Sequence, residues 1–198
     1  MATGVLVMLI GRGTKLSNVF VGSDKTYEGT MHLGIATNSH DADGEVTAEK
    51  DYSSVTREDV LADMHEMTGD LMQKPPMVSA VKVDGVPLYK RARKGQEVKR
   101  EPRLIHVFEF SMLEFDPPHV GFRLRCTKGT YVRSLCADIG EHLECGAHLS
   151  SLRRTACGKM RIEDAVPLEE LLRLDREALL PLIMPVHKFS AFGSPGPV

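Results

Sequence analysis

The sequence predicts an α+β fold in which a mixed, mainly antiparallel central sheet is flanked by helices. Residues 25–36 and 120–126 alternate between two kinds of side chain, a pattern typical of half-buried strands. Residues 104–115 precede the second of these strands across a short Asp-Pro-Pro-His turn, so the two segments are expected to pair as a hairpin. Apolar residues then recur at helical spacing between 132 and 143, which predicts an amphipathic helix.

The N-terminus begins with a continuous apolar run at residues 5–10, the pattern of a central strand buried on both faces. Residues 11–16 lead into a predicted helix that continues to Phe20. Because chains usually begin at the surface, a buried strand this close to Met1 needs neighbours that a preceding segment would supply. We therefore expect the fold to lack its N-terminal segment.

A loop and an acidic helix follow the first alternating strand. Residues 37–44 are rich in turn-forming side chains, including Asp41 and Asp43. Thr56 and Asp59 form a capping-box-like helix start, and Gly69 is the expected stop. Residues 41–70 carry a local charge of −8, so the acidic face of this helix is expected to point to solvent.

Residues 73–87 are predicted to contain a strand and a turn. Pro75 and Pro76 forbid a helix and lead into a strand at 77–83, which ends at the Asp84-Gly85 turn. Pro87 is then placed to open a further helix.

That further helix is strongly basic. The formal charge of the whole chain is −2, but residues 82–103 carry a local charge of +5. The basic side chains of the helix are Lys90, Arg91, Arg93 and Lys94. Such a segment forms either a phosphate-facing patch or a solvated helix face, and composition alone favours neither.

Two side chains stand at a strand-to-helix junction after the hairpin. The strand at 120–126 gives way to a Lys128-Gly129-Thr130 turn, and Gly146 stands where the following helix should stop. Tyr131 and Arg133 therefore lie where functional residues are often presented on a rigid frame. From the residues alone, such a pair is more often scaffold than site.

The cysteines and the hydropathy exclude several classes of protein. The four cysteines form no C-x-x-C pair, which favours reduced thiols in a cytoplasmic protein. No apolar run approaches membrane length, so no membrane partner is expected. A zinc set can be drawn, but its spacing fits no standard finger, and no metal is expected. That set is His142, Cys145, His148 and Cys157.

Several motifs occur in order along the chain. They are ATGVL at 2–6, G-x-x-T-K-L at 11–16, K-x-Y at 25–27, D-A-x-G at 41–44, PPMVSAVKVDGVPLYKRARKG at 75–95, KGTYVR at 128–133 and CGAHLSSLRRT at 145–155. This series resembles the bacterial tRNA pseudouridine synthases of the TruB type and covers most of residues 1–160. The resemblance implies the pseudouridine synthase fold and isomerisation of the T-loop uridine of tRNA, without a cofactor.

The resemblance also implies roles for individual residues. Tyr131 and Leu152 would line the uridine pocket, and Tyr27 would stack on the uracil or accept a proton. Arg133 would pair with the catalytic aspartate. The implied partner is the T-arm stem-loop of tRNA, from which the target base must be flipped. The implied RNA contacts are Lys82, Lys90, Arg91, Arg93, Lys94, Lys128, Arg153, Arg154 and Asp41.

One departure from the family pattern affects the chemistry. In the family, ATGVL follows Gly-Thr-Leu-Asp-Pro, whose aspartate is the nucleophile and would lie two residues before Met1. We therefore expect the 198-residue chain to bind T-arm RNA without making pseudouridine, and Arg133 to be an unpaired cation. We also expect the in-frame codons upstream to encode the missing motif. The alternatives are a non-catalytic tRNA-binding or tRNA-folding protein with the same pocket and, more weakly, a zinc-binding module.

The expected domain organisation has three parts. Residues 1–160 form the catalytic domain, 161–184 a short helical segment that covers the core, and 185–198 a disordered tail. Many family members add a small C-terminal RNA-binding domain, for which too few residues remain in this sequence. The protein is expected to be a cytoplasmic monomer.

Overall fold

The computed structural model describes residues 2–79, 82–83, 85–88, 91 and 98–192. The strands are β1 (Ala2–Gly4), β2 (Lys25–Leu33), β3 (Ile35–Thr37), β4 (Val46–Glu49), β5 (Gly69–Gln73), β6 (Lys82–Val83), β7 (Val86–Pro87), β8 (Arg103–Asp116), β9 (His119–Cys126), β10 (Ala147–Cys157) and β11 (Met160–Arg161). The α-helices are α1 (Ser17–Gly22), α2 (Arg57–Glu66), α3 (Val132–His142), α4 (Leu168–Leu171) and α5 (Arg176–Leu179). Short 3-10 helices occupy Gly11–Leu16, Ile162–Asp164, Leu180–Leu182 and Val186–Phe192.

Seven strands form one central sheet in the order β1-β10-β2-β9-β8-β5, with β11 paired to β10. β1 and β10 run parallel, and the other neighbouring pairs of this sheet run antiparallel. Helices α2 and α3 pack on one face of it. The predicted class, a mixed and mainly antiparallel sheet flanked by helices, is therefore confirmed.

The hydrophobic core lies between the sheet and helices α2 and α3. Alternate side chains of β9, from Val120 to Cys126, are almost completely buried, as the alternation predicts. The apolar stripe of α3, from Val132 to Ile139, packs against them. Burying one large apolar side chain stabilises the fold by about 1.5–3 kcal/mol, so this contact holds α3 against the sheet.

The segment of β10 that pairs with the middle of β2 lies between two register shifts, one between Leu149 and Ser151 and one between Arg154 and Ala156. Within it, Leu152 pairs with Gly29 and Arg153 pairs with Glu28. Because consecutive strand residues point to opposite faces, Leu152 faces the side covered by helices and Arg153 faces the open side.

The predicted central strand at residues 5–10 is wrong. Strand β1 lies at the edge of the sheet and ends at Gly4. In the apolar run that follows, Val5 is buried, whereas Leu6, Met8 and Ile10 are largely exposed. A run of apolar residues indicates that the segment is hydrophobic, but it does not specify which strands lie beside it. In the described part of the chain no strand pairs with the outer side of β1, and residues 5–10 leave the sheet and line a cleft with the C-terminal segment.

Two other predicted strands are shorter than expected. Gly34 adopts a φ of +87°, which ends β2 and divides the strand predicted at 25–36 into β2 and β3. Residues 77–79 are bends, in which the Ser79 N–H donates to the Met77 carbonyl, and β6 is the part of the strand predicted at 77–83 that forms a strand among the described residues. Most of the predicted basic helix, including Lys90, Arg93 and Lys94, lies outside the described residues.

The C-terminal segment lies beside the N-terminal one. Helices α4 and α5 fall within the helical segment predicted at 161–184, but Leu168 and Leu172 are exposed and do not cover the core. Val186–Phe192 forms a 3-10 helix within the segment predicted to be disordered, and the Phe189 ring lies 5.6 Å from the Phe20 ring in an edge-to-face contact. No helix in the described part of the chain is long and apolar enough to cross a bilayer.

Candidate active site

A cavity of 270 Å³ gathers side chains that are far apart in the sequence. It is lined by Tyr27 from β2, Asp41 from the loop after β3, Tyr131 and Arg133 at the start of α3, and Leu152 from β10. The four predicted catalytic residues that belong to the chain therefore meet in one place, together with the aspartate predicted to contact RNA.

Gly29 leaves room for the core beside this cavity. It lies between Phe122 on β9 and Leu152 on β10. A Cβ at Gly29 would lie 2.6 Å from Cζ of Phe122 and 2.8 Å from the main-chain oxygen of Ser151. Any larger residue here would displace the core ring or the strand that carries Leu152.

Gln73, which the sequence analysis missed, holds Tyr131 in position. The buried Gln73 side chain accepts a hydrogen bond from the Tyr131 N–H at 2.8 Å and donates one to the Tyr131 carbonyl oxygen at 3.0 Å. Tyr131 is the N-cap of α3, and its own side chain makes no capping hydrogen bond. The amide of Gln73 thus fixes the main chain at the point where the helix leaves the cavity.

Arg133 is paired, contrary to the expectation that it is an unpaired cation. Its Nη1 donates to Oδ2 of Asp41 at 2.7 Å, with side-chain exposures of 19% for the arginine and 27% for the aspartate. Its Nη2 donates to the main-chain oxygen of Val78. The pairing arises because the loop after β3 folds back onto β10, where the Leu149 N–H donates to the His40 carbonyl and the Ala42 N–H donates to the Leu149 carbonyl.

Asp41 is held as a carboxylate. Burial disfavours its charge, but hydrogen bonds from the Ser39 hydroxyl at 2.6 Å and from Arg133 outweigh that cost and lower the pKa of Asp41 below its ordinary value. The Asp43 N–H adds a third contact at 3.3 Å. Both carboxylate oxygens are therefore occupied within the protein.

Tyr27 is held as a neutral phenol. Burial raises its pKa above the ordinary value, and the guanidinium of Arg154 beside it acts in the opposite direction without offsetting the burial. Arg154 is fixed by a hydrogen bond of 2.7 Å from its Nε to the Val5 carbonyl. A ring of this kind is suited to stacking on a base.

The remaining predicted RNA contacts are dispersed. Lys128 is exposed on the turn before α3, Arg91 is half-buried, and Arg153 is exposed on the opposite face of the sheet from Tyr27 and Leu152. Lys82 lies in β6. Of the predicted contacts, Asp41 lies against Arg133 at the start of α3, and Lys128 lies on the turn that precedes this helix.

The zinc set drawn from the sequence is not assembled. In the described residues, the donor atoms that all lie within 4.8 Å of one another belong instead to Asp63, Glu66 and His142. His148 uses its Nδ1 on the Ile35 carbonyl at 2.8 Å, and Cys145 is buried, where desolvation raises its pKa. The arrangement therefore gives no support to a zinc-binding module built on that set.

Two family models match consecutive parts of the chain. Residues 1–132 match the TruB family pseudouridylate synthase (N terminal domain). The chain belongs to the TruB family. Residues 133–189 match the tRNA pseudouridylate synthase B C-terminal domain, and the boundary between the two TruB models falls at the start of α3, inside the fold that shares one central sheet.

Relatives and a solved structure agree with membership of the TruB family. A tRNA pseudouridine synthase B of Opitutus terrae is 49% identical over 188 residues, which make up 95% of this chain and 78% of that protein. One of Francisella philomiragia is 45% identical over 94% of this chain and 62% of its own length. The chain thus spans only part of the length of these TruB relatives. A chain in the crystal structure of a Cbf5–Nop10–Gar1 complex has a similar fold, with a TM-score of 0.72 and 26% identity over 96% of this chain and 50% of that one.

Proposed function

We propose that this protein is by family a tRNA pseudouridine synthase for the T-loop uridine of tRNA, and that residues 1–198 form its uridine pocket but do not isomerise the uridine alone. The observation that carries the proposal is that Tyr27, Tyr131, Leu152 and the Arg133–Asp41 pair all line the same cavity. The names of the relatives favour an enzyme over a non-catalytic tRNA-binding protein. The reaction breaks the C–N glycosidic bond and rejoins the same uracil through carbon, so it is balanced without a cofactor.

In this proposal the cavity receives a uridine flipped out of the folded T-loop. Extruding a base costs stacking energy, which contacts with aromatic and apolar walls repay. Tyr27 supplies such a wall, since its ring lies in the cavity and burial favours the neutral phenol, and we propose that it acts by stacking. Leu152 and Tyr131 complete the contacts to the base.

The carboxylates that line the cavity support the proposal that the 198-residue chain binds the uridine without isomerising it. They are Asp41 and Asp43. Asp41 is bonded to Ser39 and Arg133, which stabilises its charge and lowers its reactivity as a nucleophile. The family's nucleophilic aspartate matches no residue among 1–198.

The test compares two T-arm stem-loop RNAs, one intact and one with an abasic site in place of the target uridine. Binding is measured by fluorescence anisotropy, and pseudouridine by carbodiimide primer extension. Leu152→Ala should weaken binding of the intact RNA about 10-fold, the loss of roughly 1–3 kcal/mol of base contact, and should leave the abasic RNA unaffected. Equal effects on both RNAs would show that the base does not enter this cavity.

Turnover is the second readout of the same test. We expect no pseudouridine from the 198-residue chain with either RNA. Pseudouridine formation that is lost in Asp41→Asn but kept in Asp43→Asn would instead make Asp41 the nucleophile.

Partner and location follow from the same proposal. A tRNA substrate and four buried free cysteines support a cytoplasmic protein. We propose that it acts as a monomer, which light scattering during size-exclusion chromatography with and without T-arm RNA tests directly.

A further inference from the structure

A second cavity, of 220 Å³, lies on the opposite face of the central sheet from the proposed uridine pocket. Along β2, Thr26 and Glu28 line this cavity whereas Tyr27 lines the first one. On β10, Leu152 lines the first cavity and Arg153 the second. The two cavities therefore share strands but not a face.

Three arginines on three different strands line the second cavity. Arg123 comes from β9, Arg153 from β10 and Arg161 from β11. Arg123 and Arg153 are the cross-strand partners of Glu28 on its two sides. The register of the sheet therefore places Arg123 and Arg153 on either side of Glu28.

The positive charge of this cavity is poorly neutralised. Glu28 and Glu163 also line it, but within the described ranges neither carboxylate lies within 4.0 Å of a guanidinium, and the one ion pair of the three arginines joins Arg123 to Glu109 at 3.8 Å. Arg153 and Arg161 are left with no carboxylate partner in the described part of the chain.

A hydroxyl group in the cavity is also unsatisfied. Oγ1 of Thr155 is buried and has no hydrogen-bond partner among the described residues. A buried hydroxyl without a partner costs about 1–3 kcal/mol, so a ligand oxygen that accepts a hydrogen bond from it would recover that cost.

We propose that the cavity formed by Arg123, Arg153, Arg161 and Thr155 binds a phosphate group. Guanidinium groups present paired N–H donors whose spacing matches two oxygens of a phosphate. Arg123 is paired with Glu109, but Arg153 and Arg161 have no carboxylate within 4.0 Å among the described residues, so these two guanidinium groups attract a small anion, while Glu28 weakens its binding. This site is independent of the proposed uridine pocket, and its phosphate is either a free phosphate or a phosphodiester of bound RNA.

The test is isothermal titration calorimetry of the 198-residue protein with inorganic phosphate and, separately, with pyrophosphate. The buffer is poor in chloride and has a pH of 7.5. Arg153→Gln and Arg161→Gln should each weaken binding at least 10-fold, which corresponds to the loss of a charge-assisted contact. Glu28→Gln should tighten binding several-fold. Arg57→Gln, which removes the same charge from an exposed position of α2, should change little.

Opposite shifts from Glu28→Gln and Arg161→Gln cannot both come from damage to the fold, and thermal denaturation of each variant checks this. The absence of saturable phosphate binding would overturn the proposal. So would an affinity that Arg153→Gln and Arg161→Gln leave unchanged, or that Arg57→Gln lowers equally.

The source of the phosphate is identified by adding T-arm RNA. If the site takes an RNA phosphodiester, saturating RNA should prevent phosphate binding, and Arg161→Gln should weaken RNA binding as well. If it takes a free phosphate, the affinity for phosphate should be the same with and without RNA. Neither result depends on whether a uridine enters the cavity at Tyr27.

Discussion

Gln73 and Tyr131 are joined by two hydrogen bonds between one side-chain amide and one main-chain unit, although 58 residues separate them. The end of β5 is thereby fixed to the start of α3, and the cavity side chains Tyr131 and Arg133 are oriented from a buried anchor.

Changing Gln73 to Glu should remove the donor and place a charge against the Tyr131 carbonyl. We expect the free energy of unfolding to fall by about 1–3 kcal/mol. Binding of T-arm RNA should weaken with it, because Tyr131 is no longer held. Urea denaturation and fluorescence anisotropy measure the two effects. Lys74→Gln, at the exposed neighbouring position, should change neither, and equal losses in both variants would contradict an anchoring role.

The Arg133–Asp41 pair should show strong coupling. In a double-mutant cycle with Arg133→Gln and Asp41→Asn, we expect an interaction energy on the order of 1–2 kcal/mol in unfolding experiments, as for other contacting charged pairs. A half-buried pair with further hydrogen bonds is stronger than an exposed one.

The pH dependence of this coupling follows from the lowered pKa of Asp41. A carboxyl group whose pKa falls on folding contributes stability above its unfolded value, which is 3.8 here, and loses it as the pH falls through the folded value. The interaction energy should therefore be constant between pH 8 and pH 5. A decline already at pH 6 would mean that another group controls the pair.

Gly140 should reverse the usual effect of alanine in a helix. Replacing glycine by alanine inside a helix normally stabilises by about 1 kcal/mol. A Cβ at Gly140 would, however, lie 2.1 Å from the main-chain nitrogen of Ala147, so Gly140→Ala should destabilise by about 1–3 kcal/mol. Gly22→Ala adds the same methyl group to α1 with no atom within 4 Å. Thermal denaturation should separate the two variants, and equal midpoints would show that α3 moves freely on β10.

The predicted basic helix should account for much of the salt dependence of RNA binding. Replacing its four basic residues with alanine should weaken T-arm binding and reduce the slope of log affinity against log salt by about 3, since each phosphate contact contributes roughly 0.7–0.9. Those residues are Lys90, Arg91, Arg93 and Lys94.

The matched control for this variant removes four basic side chains from exposed positions elsewhere. They are Arg57, Lys159, Arg173 and Arg176. The control should lower the slope much less. A slope that both variants leave unchanged would exclude phosphate contacts by the helix.

Local sequence patterns correctly predicted the elements that bury one face against a single partner surface. The alternation in β9 and the stripe of α3 each require only one partner surface, and both are confirmed. The run at residues 5–10 failed because its burial depends on which strands lie beside it, which hydrophobicity does not specify. The division at Gly34 was missed because a single positive φ interrupts a pattern that is otherwise continuous.

Sequence motifs predicted those residues of the candidate site that belong to the motifs themselves. Tyr27, Tyr131, Arg133 and Leu152 were chosen by resemblance, and they line one cavity. Gln73 and Ser39 were missed because each acts by hydrogen bonds that only the tertiary arrangement reveals. A glutamine directly before the Lys-Pro-Pro turn was the available signal, since a polar residue that follows two apolar ones into a buried position needs a partner.

The two register shifts of β10 enclose a segment in which Leu152 and Arg153 serve different surfaces. Substitutions there alter one surface at a time. An insertion or deletion of one residue does not, because a shift by one position turns each strand side chain to the other face. Such a change would turn Arg153 toward the side of the proposed uridine cavity and Leu152 toward the side of the arginine cluster, so one step would alter both faces of the sheet. A point substitution in this strand therefore changes one surface, whereas a change in its length changes both.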